Sequence, residues 1–335
     1  MSEDHLDKEI AVSADLTETG FKAGAKSRAL AAFDRLVGNF GEWANVRLEG
    51  DISRRRAIIE GEKALIEATV RHGIQRLDTD DDFAARAFET HFSKIARAQA
   101  NKDGVVRAAL SDLRRSPIAD SQADDGVDTL SSEFLDRLET YAEGASSEEL
   151  RERWGRVLAS ELRKPGTFGR KVLRVTDELS AETAKVFEQL CSYRVGHRVF
   201  YPIMPEELSF AEKIMLISAG LMVDPLERGH VGFFVEVDLT AGNFWMLRIG
   251  NEAVGIRKGA AITYAPGSIL MDSAGTPAVR VFILSDAGAA LASILEDNTD
   301  RVREEVFGRI KEMVPSDDLV FFTTAEDGHL TAIKP

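Results

Sequence analysis

One cysteine, Cys191, is all the chain has. No intrachain disulfide can form, and the paired cysteines of zinc and redox motifs are absent. A lone cysteine in an apolar helical pattern reads as a packing residue and fits a reducing cytoplasm. Histidine is scarce too. His5, His72, His91, His197, His230 and His329 are the full set, and none stands in an HExxH pattern. A zinc site would need distant residues to converge. Gly250, Gly255, Gly259 and Gly267 reproduce neither GxxxxGK[ST] nor a strand–GxGxxG–helix fingerprint. No cofactor is expected. The longest apolar run, residues 214–223, falls well short of the roughly 20 residues that cross a bilayer. The opening MSEDHLDKEI lacks a secretory pattern. A cytoplasmic protein without an integral membrane segment is the expectation.

The chain has 335 residues and a net charge of −14. That length fits two or three domains, and that charge opposes wholesale attraction to nucleic acid or anionic lipid. The distribution is uneven. Lys22, Lys26, Arg28, Arg35, Arg47, Arg54, Arg55 and Arg56 face only Asp34, Glu42, Glu49 and Asp51, so this interval is basic. Its bases suit phosphates or anionic lipid, or form an ordinary solvated face with local ion pairs. Trp43 and two phenylalanines make a poor ladder for stacking single-stranded bases. If nucleic acid binds here, neutralising Arg54, Arg55 and Arg56 removes a salt-sensitive association.

Residues 1–20 form an acidic, flexible N-terminus with little to bury. An amphipathic helical region follows over 21–116. Ile58, Ile59, Leu65, Ile66, Val70 and Ile74 share one face of a helix over residues 53–77, which needs a covering partner. Phe83, Ala87, Phe88, Phe92 and Ile95 form the face of the next helix. Asp78, Asp80, Asp81 and Asp82 stand at its entrance without calcium-loop spacing. Residues 117–128, rich in small and acidic residues, read as a linker.

A central helical domain spans 129–195. Leu130, Phe134, Leu135, Leu138 and Tyr141 mark one helix. Ser146 is placed to cap the next, with Glu149 three residues on as in a capping box. Leu150, Trp154, Val157, Leu158 and Leu162 form its apolar stripe. Pro165 ends it and Gly166 relaxes the turn. Ser180 caps a further helix over Ala184, Phe187, Leu190 and Cys191. Trp154 and Glu161 admit two readings. Either they serve packing, with Glu161 paired to Arg163, Lys164 or Arg170, or they form a partner surface with tryptophan as its anchor.

The series Trp154, Leu158-Ala159, Glu161-Leu162, Pro165-Gly166, Leu173, Leu179, Ala184 and Phe187 resembles an uncharacterised bacterial family catalogued as domain of unknown function 2806. The resemblance covers residues 146–187, with a weaker likeness in the N-terminal helical arm. Gly169 stands where similar sequences carry serine. The resemblance brings no active-site residues. It implies an association with mobile-element or phage-defence (antiviral) systems.

Residues 196–335 form a C-terminal α/β module. A helix is expected over 206–219, strands over 230–238, 244–249, 260–264 and 279–284, and helices over 286–295 and 300–313. A hairpin over 319–324 and 329–333 closes the chain. The order of helices and strands, with FILSDAGAALASIL at the last strand-to-helix turn, resembles a winged-helix module. The helix EELSFAEKIMLISAG offers only Lys213 as a base, so such a module suits protein contact better than a DNA groove.

The fold class expected is therefore α+β, mainly helical at first and mixed α/β at the C-terminus, possessing winged-helix character there. The leading function is a non-enzymatic interaction or regulatory protein that self-associates or binds another protein. The alternatives are nucleic-acid binding through the basic arm, and a hydrolase whose site, including His197, assembles only in three dimensions.

Overall fold

The computed structural model describes residues 23–37, 81–118, 130–225, 230–239, 242–324 and 330–333. The expected helix over 53–77, the acidic N-terminus and most of the expected linker lie outside them. The chain divides into two compact units, with the division between Leu173 and Arg174.

The N-terminal unit is helical. Its elements are α1 (Ala23–Val37), α2 (Asp81–Arg115), α3 (Ser132–Gly144) and α4 (Glu148–Arg163). The start of α5 (Arg170–Glu178) completes it. Helices α2 and α4 run side by side in the same direction, because Asn101, Ala108 and Asp112 meet Arg151, Gly155 and Arg163 in order. Gly155 makes the close approach possible. A Cβ there would lie 2.5 Å from the Ala108 side chain and 2.8 Å from the Ala109 amide nitrogen. Arg151 then donates to Asn101 Oδ1 at 2.8 Å and to the carbonyls of Ala145 and Ser146. Asn101 donates in turn to the Glu143 carbonyl at 2.8 Å. These bonds fix the short α3–α4 connection against α2. Arg163 donates to the carbonyls of Asp112 and Ser116, satisfying acceptors that the end of α2 leaves open.

Ser147, rather than the expected Ser146, caps α4 by accepting from the Leu150 amide at 3.2 Å. Glu149 therefore sits one position too early to close a capping box. The Pro165 stop holds: α4 ends at Arg163, and Gly166 takes a φ of +87°.

The C-terminal unit is mixed α/β. It includes α6 (Ala181–Cys191), the short strands β1 (Arg194–Val195) and β2 (Arg198–Val199), and α7 (Phe210–Ser218). The strands β3 (His230–Phe233), β4 (Val235–Leu239), β5 (Gly242–Ile249), β6 (Glu252–Arg257), β7 (Leu270–Ser273) and β8 (Thr276–Ile283) follow. Helices α8 (Asp286–Ala292) and α9 (Thr299–Lys311) lead to the hairpin β9 (Leu319–Thr324) and β10 (Leu330–Ile333). Two antiparallel sheets result. One has the order β10-β9-β6-β5-β4, and the other β1-β2-β8-β3, with β7 also on β8.

Alternation along the strands builds one core from both sheets. Leu247, Ile249, Val254 and Ile256 from the first meet Val279 and Val281 from the second, with Val302, Val306, Phe307 and Ile310 of α9 between them. Two expectations change. The expected strand over 260–264 is absent, since Gly259 (φ +89°) breaks the extended run. Instead β6 forms just before it, out of NEAVGIR. Its Gly255 leaves space for Phe244 and Phe322, whose rings meet edge-on at 5.9 Å. The single expected strand over 230–238 is broken at Phe234 into β3 and β4, which join different sheets.

Candidate interaction surface

Arg54, Arg55 and Arg56 lie outside the described residues. Trp154 is 2% exposed, and its ring stacks on Tyr141 of α3 with centroids 4.8 Å apart and planes 2° from parallel. Glu161 is 3% exposed. Its neighbours in sequence do not neutralise it. Arg163 turns to Asp112, and Arg170 pairs with Glu133 at 3.0 Å. Instead the Gly166 amide donates to Glu161 Oε1 at 2.6 Å and the Phe168 amide to Oε2 at 2.9 Å. The carboxylate is the acceptor that holds the Pro165–Gly166 turn folded back on α4.

Burial pushes the Glu161 carboxyl above its ordinary range, and the amides of Gly166, Phe168 and Thr167 pull against that shift. The folded state therefore holds this proton more tightly than the unfolded chain does. The resulting stability is fully present below the unfolded carboxylate value and is lost as pH rises through the raised folded value. Thermal melts of the natural chain and of Glu161→Gln across the acid range check this. The difference in Tm, natural minus variant, is expected to be largest in acid and to shrink as pH rises. A difference that grows with pH contradicts the assignment.

Cys191 is buried, and burial pushes its thiol up to about 12, so it is protonated at neutral pH. His197 lies exposed in the turn between β1 and β2. Among the described residues no group of three or more His, Cys, Asp and Glu side chains is placed to hold a metal ion. No helix among them is long and apolar enough to cross a membrane.

The C-terminal unit presents a different kind of surface on α7, FAEKIMLIS. Ser209 and Glu212 form a reciprocal capping box. The Ser209 amide donates to Glu212 Oε2 at 2.8 Å and the Glu212 amide to Ser209 Oγ at 3.2 Å. The Ser209 hydroxyl, then its amide, holds the Glu212 carboxyl below its ordinary range. Lys213 pairs with Glu207 at 3.1 Å and lies 5.6 Å over the Phe282 ring. That ring is stacked on Tyr201 from its own side, at 4.3 Å. Both charges of the helix are thus turned to contacts within the chain. Leu216 faces the core and is fully buried. Phe210 and Ile214, one turn apart, are left 80% and 45% exposed, with half-buried Ile217 three residues further on the same face.

A helix that is apolar on both faces is normally covered on both. The helix and its lack of bases were legible in the sequence. The outward direction of Phe210 and Ile214 was not, because periodicity cannot orient a helix that is apolar all round.

The geometry defines a protein with a helical N-terminal unit and a mixed α/β C-terminal unit. Residues 85–198 match the model of a family described as a protein of unknown function (DUF2806), and over that segment the chain belongs to this family. The match is wider than the stretch that carried the resemblance in the sequence. It runs from α2 to β2 and leaves α7 outside. No curated protein and no solved structure matches the chain.

Proposed function

We propose that this is a non-enzymatic interaction protein that works as an assembly of like subunits joined through the outer face of α7. One observation carries the reading: Phe210 and Ile214 stand exposed on a helix whose charged side chains are both engaged elsewhere. An exposed phenylalanine and isoleucine one turn apart gain most by burial against another apolar face, at about 25 cal/mol per Å² of area covered. Self-association supplies such a face at every subunit.

The winged-helix-like reading of this module belongs to the same proposal. In that arrangement α7 would contact protein and not a DNA groove, because its one base, Lys213, is tied to Glu207 and Phe282. A groove-reading helix needs donors aimed outward. The cytoplasmic setting and a role beside mobile-element or phage-defence systems remain part of the proposal and rest on the family resemblance.

Light scattering on Phe210→Glu/Ile214→Glu, beside the natural chain, tests the surface. The natural chain is expected above the monomer mass, and the double variant at it, with Tm unchanged because both side chains are exposed. A natural chain that is monomeric at every concentration overturns the proposal, as does a variant that assembles normally.

A further inference from the structure

Gly308 lies inside α9, where nothing within the chain accounts for a glycine. Its φ is not positive, and a Cβ added there would meet no atom within 4 Å. The contrast is Gly155, whose missing side chain admits Ala108. A helix-interior glycine is less favourable than alanine, so an unexplained one marks a place where something approaches the backbone closely.

That place is a cleft of about 370 Å³ lined by Arg303, Glu304, Phe307, Gly308 and Lys311 of α9, Glu252 of β6, and Phe321 and Ile333 of the closing hairpin. The register explains how it opens. Glu252 of β6 faces Thr323 of β9, and Ile333 of β10 faces Phe321, so these side chains point to the α9 side of the sheet. Phe307 of α9 packs beside Phe321, with ring centroids 5.7 Å apart. Strand β10 is an edge strand. It pairs with β9 on one side, and among the described residues no strand pairs with its other side. Ile333 is 39% exposed there.

A groove between a helix and an open strand edge suits one ligand shape. An extended peptide can add to the edge through its backbone while alternate side chains enter the groove. The charges specify more. Arg303 is occupied by Glu252 at 3.4 Å, by Asp300, and by Glu304 at 3.9 Å. Lys311 lies 4.6 Å over the Phe321 ring and has no carboxylate partner among the described residues. The available charge is positive and sits at the C-terminal end of α9.

We propose that this groove binds an extended peptide segment of another protein, added as a strand to β10. The segment places an apolar side chain over Gly308, between Phe307, Phe321 and Ile333, and an aspartate or glutamate against Lys311. This inference does not depend on the α7 surface.

The test starts from the full chain, used to select from a random displayed-peptide library. The strongest peptide is then synthesised with a fluorophore and its binding read by polarisation. Selected peptides are expected to pair an apolar residue with a nearby acid. Gly308→Leu fills the groove without harming the helix, since leucine is a good helix former. It should weaken binding about tenfold or more while leaving Tm unchanged or higher. Lys311→Glu should weaken binding as well, and a peptide with its acid changed to lysine should recover binding to that variant. Failure to select any peptide overturns the proposal. So does a selected peptide that binds both variants as well as the natural chain. A change in the mass of the free protein on Gly308→Leu also overturns it, because a second copy would then occupy the groove.

Discussion

Trp154→Ala is expected to lower stability by about 3–5 kcal/mol, the range for deleting a large buried aromatic ring. Trp154 is almost wholly buried and sits among Val157, Leu158 and Leu162, which are fully buried on the same helix. Its loss removes the stacked contact with Tyr141 and leaves a void between α3 and α4. The backbone cannot collapse into that void freely, because Gly155 is already in contact with Ala108 on the other side of α4. Thermal or denaturant unfolding checks the expectation. An unchanged Tm, with assembly or partner binding abolished, would make Trp154 a recognition anchor instead.

Gly288→Ala is expected to cost about 3 kcal/mol or more, at the upper end of overpacking penalties. A Cβ on Gly288 would lie 1.9 Å from the Leu221 carbonyl oxygen, which is backbone and cannot rotate aside. The same oxygen accepts from the Ser285 amide at 3.0 Å. The Ser285 hydroxyl donates to the Gly220 carbonyl and accepts from the Gly288 amide at 3.0 Å, capping α8. Any shift that relieves the methyl group therefore strains the cap and its tie to residues 220–221 together. Gly308→Ala is the matched control, since its Cβ enters open space. It should leave Tm equal or slightly raised, while Gly288→Ala lowers it sharply. Equal effects would contradict the packing around Leu221.

These two positions show unequal legibility in the sequence. Trp154 stands in an apolar stripe with helical spacing, so its burial could be read from Leu150, Val157 and Leu158. Gly288 stands in FILSDAGAALASIL, where the strand-to-helix turn was legible but the approach of Leu221, distant in sequence, was not. Glu161 illustrates the same limit. Nearby bases suggested an ion pair, yet Gly166 bends the chain so that backbone amides reach the carboxylate first. Strand β6 was missed because Gly255 weakens the pattern of NEAVGIR, and its role appears only when Phe244 and Phe322 meet over it. On α7 the helix and its poverty of bases could be read. The engagement of Glu212 and Lys213 could not, since Glu207 and Phe282 come from outside the helix.

The central claim is that the outer face of α7 is covered by a second copy of the chain. Amide hydrogen exchange of Phe210–Ser218, measured from dilute to concentrated protein, tests it most directly. The account predicts that these amides slow as concentration rises, while those of α8 and β8 keep one rate throughout. Exchange in α7 that is the same at every concentration, in a chain that stays monomeric, would contradict it.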